Sequence, residues 1–196
     1  MLIDNNKKAR KRRTSNEKYL DALQANHSKL CVVRLDFAYK KPYSKEVSVE
    51  EAIKDHNKLM NNTRNNQTVF GGLVGHISKR ESTEDKGAHI HEVFIFDGNK
   101  VQKDAFKGDQ IGKYYVDNIT KGKGTYYNCN RNSYPEHGIG MLNHNDIEKR
   151  KNLDNALAYL SKDEQLIEMG NKKIKSIVRG TMPKSKGNIG RPRIEK

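Results

Sequence analysis

The chain has 196 residues, enough for one domain with a short extension at each end. Lys plus Arg outnumber Asp plus Glu by 38 to 24, a net charge of +14, which opposes a compact state unless a polyanion neutralises it and makes nucleic acid the leading partner class. No apolar stretch approaches the roughly 20 residues of a spanning helix, so no membrane-spanning helix is predicted. No signal-peptide pattern precedes the basic N-terminus, and Cys31 and Cys129 fit neither a metal spacing nor a disulfide framework. A reducing cytoplasm is the expected compartment.

Residues 1–28 read as a basic N-terminal extension. Residues 7–13 (KKARKRR) hold six cations in seven positions, a run that repels itself and stays disordered until it meets a phosphate backbone. Ser15 can then cap a short helix through Ala25. Residues 30–39 are β-branched and alternating, with Cys31, Val33, Leu35, Phe37 and Tyr39 on one face. A helix is predicted over residues 48–61, with Ser48 as cap, Glu51 at the capping-box position, and Ala52, Ile53, Leu59 and Met60 as its apolar side. A glycine-containing strand follows over 69–81, then a polar loop with Gly87 and a strand over 88–96. Asn99 can open a helix to about residue 118, residues 126–129 read as a short strand, and 147–161 form a helix with Leu153, Ala156, Leu157 and Leu160 at core spacing. A last strand is expected over 174–178. Strands and helices in this order predict an α+β domain over residues 29–183, a central antiparallel sheet covered by helices. Residues 184–196 read as a basic flexible tail whose Gly190-Arg191-Pro192-Arg193 resembles a minor-groove-binding hook.

The chemistry concentrates in AHIHEVFIF, residues 88–96. Residues two apart on a strand share a face, so His89 and His91 project together, followed by Val93 and Ile95, while Phe94 and Phe96 cover the other side. Two imidazoles on a buried strand are costly unless their nitrogens are used, and such a pair suits a divalent ion. A hairpin through residues 82–87 can set Glu81 opposite His89 in antiparallel register, on the same face, as a third ligand. Glu84 and His76 are weaker candidates. In the late helix, Tyr159 falls on the flank of the leucine stripe and Lys162 lies one turn on. A phenol there can attack phosphorus when a metal polarises the phosphate and a cation offsets the developing charge.

The order of these motifs resembles that of the HUH endonuclease superfamily. More narrowly, Arg34-Leu-Asp-Phe, His89-Ile-His91, Gly138-Ile-Gly-Met, Glu148-Lys-Arg-Lys-Asn-Leu, Tyr159-Leu-Ser-Lys-Asp-Glu-Gln165 and Arg179-Gly180 are similar to segments of the replication proteins of filamentous phages (inoviruses) and related prophage elements. The match runs from about residue 30 to 183 and is densest over 138–179. The resemblance implies an enzyme that nicks one strand of single-stranded origin DNA through a 5′-phosphotyrosine bond, leaves a 3′-hydroxyl for a polymerase, and later rejoins the strand in a bacterial host cell. It assigns Mg²⁺ or Mn²⁺ to His89 and His91, the nucleophile to Tyr159, and phosphate positioning to Lys162. One tyrosine on the helix favours the single-tyrosine arrangement. Tyr114, Tyr115, Tyr126 and Tyr127 lie outside the motif and read as packing or base-stacking residues. Residues 108–113 (GDQIGK) fail the phosphate-loop pattern, so a separate helicase would unwind the duplex.

Three alternatives share parts of this pattern. A non-catalytic DNA-binding replication or transcription regulator on the same fold fits the charge equally well. A two-histidine phosphoesterase needs two His-X-Ser/Thr motifs, and only His76-Ile-Ser78 qualifies. A structural nucleic-acid-binding protein would use the basic charge and interleaved tyrosines.

Overall fold

The computed structural model describes residues 7–160, 167–169 and 172–185. Helix α1 spans Lys7–Asn26, so the basic run expected to be a disordered arm is helical, and the helix begins ahead of Ser15. The physical reason is tertiary: Ala9, Tyr19, Leu20 and Leu23 are buried on one side of the helix, which offsets the repulsion among its cations. Ser15 sits inside the helix, where its hydroxyl accepts hydrogen bonds from the Arg179 guanidinium at 3.1 and 3.3 Å.

Strand β1 (Lys29–Tyr39) is followed by the short turn of helix α2 (Tyr43–Glu46) and by α3 (Val49–Asn62). The α3 start is the expected capping box: the Ser48 hydroxyl accepts from Glu51 N–H at 3.2 Å, and the Glu51 carboxylate accepts from Ser48 N–H at 2.9 Å. The strand expected from residue 69 starts later. Asn66 accepts from Val69 N–H, residues Gln67–Phe70 form helix α4, and Val69 and Phe70 go into the core. Gly72, at φ 84°, turns the chain into β2 (Leu73–Thr83). A tight hairpin leads to β3 (Gly87–Asp97).

The helix expected from Asn99 also starts later, because Asp97 captures Asn99 N–H in a turn. Helix α5 is Asp104–Tyr114, continued by a π turn over Tyr115–Ile119. Strand β4 (Gly124–Asn128), strand β5 (Gly140–Asn143) and helix α6 (Ile147–Leu160) follow. The strand expected over 174–178 is divided between the end of β7 (Lys172–Ile174), which pairs with β6 (Ile167–Met169), and β8 (Ile177–Arg179), which joins the main sheet. Lys162 and the Gly190–Arg193 segment lie outside the described residues.

Among the described residues, the main sheet has six strands, all pairings antiparallel, in the order β4-β1-β3-β2-β8, with β5 sharing the β4 edge of β1. The fold is therefore α+β, as expected. Helices cover both faces. Cys31, Val33, Leu35, Phe37, Ile90, Phe94 and Phe96 pack against Leu59 of α3, Phe70 of α4 and Ile111 of α5. On the opposite face, Leu30, Val32, Ile77, Val93 and Ile95 pack against Tyr19, Leu20 and Leu23 of α1 and Leu153, Leu157 and Leu160 of α6. Between the β5 pairing, which ends at Val32, and the β4 pairing, which begins at Leu35, the edge of β1 would lack a partner. Asn130 fills that gap, its side-chain amide donating to the Val32 carbonyl at 2.9 Å and accepting from Arg34 N–H at 2.8 Å.

A buried polar network crosses the α3 face. Glu92 is fully buried and bonds His56 at 2.6 Å, while the other His56 nitrogen faces the Arg80 guanidinium at 3.0 Å. Arginine only donates, so His56 Nδ1 accepts and Nε2–H donates to Glu92. Arg80 also donates to Asn57 at 2.9 Å. Burial works to raise the Glu92 carboxyl pKa, but the hydrogen bonds from His56 and His76 overcome it and bring it down to about 2.

Candidate metal centre

Strand alternation and hairpin register assemble this site. In the β2–β3 pairing Glu81 lies directly opposite His89, and Lys79 opposite His91, the register expected from the sequence. On the other side β1 sets Asp36 against His91, and β4 sets Tyr127 against Asp36. Directly opposed side chains share a face, so Tyr127, Asp36, His91 and Lys79 form one row across the sheet, with Glu81 and His89 in the next. This face continues into Val93 and Ile95, which α1 and α6 cover. The histidines lie at the N-terminal end of β3, with side chains 10% and 18% exposed, nearly enclosed yet reachable.

Glu81, His89 and His91 offer one ligand atom each, all within 4.8 Å of one another. His89 Nε2 is 3.2 Å and His91 Nε2 3.1 Å from the same carboxylate oxygen, Glu81 Oε2. The remaining ring nitrogens explain why both Nε2 atoms converge. His89 Nδ1 lies 3.0 Å from the Gly87 carbonyl oxygen, and His91 Nδ1 lies 2.7 Å from Asp36 Oδ1. Both partners accept, so each Nδ1 carries a proton, and on losing the Nε2 proton that now faces Glu81 each ring would present its Nε2 lone pair to one shared point. Backing imidazoles with a carbonyl and a carboxylate in this way fixes tautomer and ring orientation at metal sites. Gly87 enables the contact through its φ of 68°, in the left-handed region.

The electrostatics agree. Hydrogen bonds from His89 and then His91 hold the Glu81 carboxyl far below its usual range against the effect of burial, and the Lys79 ammonium, 2.5 Å away, adds to this. Burial alone would lower the His91 pKa, but Asp36 and Glu81 outweigh it and raise it to about 9. Asp36 is disfavoured as an anion by burial and nonetheless held below the usual carboxylate range by His91 and Arg34. A cation at the shared point would take the place of the positive charge His91 carries between these carboxylates.

Of the residues expected at the site, Glu81, His89 and His91 come together. Glu84 is exposed in the hairpin turn, and His76 lies on the opposite sheet face, 3.4 Å from Glu92. Tyr159 stands on α6, the helix packed on the histidine face, and is 61% exposed. Two residues without a role in the sequence reading belong to the site. Asp36 stands in the Arg34-Leu-Asp-Phe segment, but its pairing with His91 depends on β1 lying next to β3, which alternation does not reveal. Lys79 stands two residues before Glu81, a same-face spacing that could have marked it.

Comparison of the chain with protein-family models, curated proteins and solved structures finds no match.

Proposed function

We propose that this chain is a metal-dependent DNA-nicking enzyme of the HUH type, which opens and rejoins single-stranded origin DNA with Tyr159 as nucleophile. The observation that carries this reading is the convergence of Glu81, His89 and His91 on one point, with Gly87 and Asp36 behind the rings, on the sheet face that also bears the tyrosine helix. In this reading the protein acts in a bacterial cytoplasm to start rolling-circle replication, and a separate helicase and polymerase follow.

The donor set fits a divalent cation. Two imidazole nitrogens and one carboxylate oxygen leave coordination positions open, and the nitrogens favour Mn²⁺ over Mg²⁺, which prefers oxygen ligands. A bound cation supplies polarisation of a phosphodiester oxygen. The protein does the rest. Gly87 and Asp36 hold the rings in place, and Lys79 keeps Glu81 anionic. The Tyr159 phenol oxygen forms a bond to phosphorus, the bond from phosphorus to the 3′ oxygen breaks, and the phenol proton is balanced by the proton taken up at that oxygen. The products are a 5′-phosphotyrosine and a 3′-hydroxyl, and the reverse attack rejoins the strand. Lys162 is proposed to offset charge on the phosphate.

The test does not require a known origin. The protein is incubated with a randomised single-stranded DNA library and Mn²⁺, and strands covalently attached to protein are sequenced. Recovery of one cleavage motif is the expected result, with none from His89→Ala, which should retain most non-specific affinity because basic residues supply it. Tight binding without any captured strand would leave the non-catalytic regulator as the better reading.

A further inference from the structure

A cavity of about 390 Å³ opens beside the metal-ligand cluster, lined by Arg34, Cys129, Tyr134, Glu136, Ile139 and Ala156 among others. It exists because of the interrupted β1 edge. Asn130 replaces a strand partner there, and the segment that follows reaches α6, where Gly138 sits against the backbone of Asn152 and Leu153. Arg34 is the link to the cluster: it is two residues from Asp36 on β1, one same-face step, and its Nε lies 3.6 Å from Asp36 Oδ1. Asp36 in turn holds His91 at 2.7 Å. Ala156, on the opposite wall, is three residues before Tyr159, adjacent to it on the helix surface.

The cavity therefore lies between the backing carboxylate of the metal-ligand cluster and the helix that carries the candidate nucleophile. Its walls combine an aromatic ring with aliphatic and thiol surface. Its polar members are the Glu136 carboxylate and the Arg34 guanidinium, whose Nε faces Asp36. Tyr134 is 39% exposed, with the His137 ring stacked at 6.3 Å on one side of it, and Tyr127, in the same row as Asp36 and His91, is 56% exposed, so two phenol rings border this edge of the site. A flat ligand with apolar faces and hydrogen-bonding edges matches that lining, and the volume suits a small aromatic group.

We infer that this cavity receives one unstacked nucleobase of the bound strand, its face against Tyr134 and an acceptor on its edge taking a hydrogen bond from Arg34. This rests on the single-stranded DNA reading and adds the subsite that sets the register of the strand. A base seated here holds the adjoining phosphodiester beside the metal-ligand cluster, so the cavity selects which phosphate reacts.

The protein has no tryptophan, so Tyr134→Trp in the full chain makes the cavity wall the only indole. The probes are a short oligothymidylate and an abasic deoxyribose-phosphate strand of equal length, with binding followed by anisotropy and by indole fluorescence. The oligothymidylate should quench Trp fluorescence and bind roughly 5- to 150-fold more tightly than the abasic strand, the effect of one base on an aromatic side chain. Ala156→Leu, which fills the cavity, should remove both the quenching and the preference. In the otherwise unaltered protein, Tyr134→Ala should remove the preference too, which keeps the test decisive if Ala156→Leu fails to fold. Quenching that survives the filled cavity, or a preference that survives both variants, would overturn the base subsite while leaving covalent strand capture intact. If neither strand binds the parent protein, the DNA reading and the subsite fall together.

Discussion

Asp36 decides how well His91 can serve as a ligand, since its carboxylate fixes the ring through Nδ1 at 2.7 Å. Asp36→Asn keeps an acceptor but removes the charge that favours the ring's metal-binding orientation. Loss of such backing typically costs about 10- to 100-fold in metal affinity, and Mn²⁺ titration calorimetry of the variant should fall in that range with the fold intact. Unchanged affinity would mean that Asp36 is only an ion-pair partner of Arg34. The Glu81–His89–His91 cluster was legible in the sequence because its parts are local. His89 and His91 are two apart on one strand, and Glu81 reaches His89 through a hairpin too short for many registers. Asp36 was not legible as a partner, because it is 55 residues away from His91 and depends on which strand lies beside β3.

At the scale of elements, the outcome depends on whether a signal lay in the backbone's immediate neighbourhood. The Ser48–Glu51 box fixed the start of α3 because both partners lie within one turn. The starts of α4 and α5 were set instead by side chains of Asn66 and Asp97 capturing nearby N–H groups, and that of β2 by the turn at Gly72, none of which the apolar pattern encodes. The buried His56–Glu92–Arg80 network escaped the sequence reading for another reason. Glu92 lies among apolar residues of β3 as a charged residue that alternation places with Phe94, and only α3 packing supplies its partner. Glu92→Ala takes the buried carboxylate away from His56 and His76, and with it the partner that orients the His56 ring toward Arg80. Breaking a buried pair costs about 3–5 kcal/mol, so urea denaturation should show a loss of that size. A loss below about 1 kcal/mol, in the range of an exposed pair, would contradict the account.

For the whole molecule, the net charge of +14 gains a location. Lys11 and Arg12 of α1 and Lys175 and Arg179 around β8 line a groove of about 390 Å³. β8 pairs with β2, setting Ile177 opposite Lys79, so the groove adjoins the sheet edge that carries Glu81. Each phosphate contact on a single strand adds about 0.7 to the salt slope. Changing Lys11, Arg12 and Lys175 to Gln should therefore flatten the slope by about 2 if all three touch phosphate, while Mn²⁺ affinity stays unchanged. Deleting the basic run would be a poorer probe, because it removes Ala9 from its buried position. A slope unchanged in the triple variant would place the strand elsewhere. The central claim, that Tyr159 breaks and reforms a DNA strand, is tested most directly by mass spectrometry of peptides from protein incubated with single-stranded DNA and Mn²⁺. The account predicts a nucleotide phosphate on Tyr159 and no adduct from Tyr159→Phe, which should still fold and bind DNA. An adduct on another tyrosine, or one that persists in Tyr159→Phe, would contradict it.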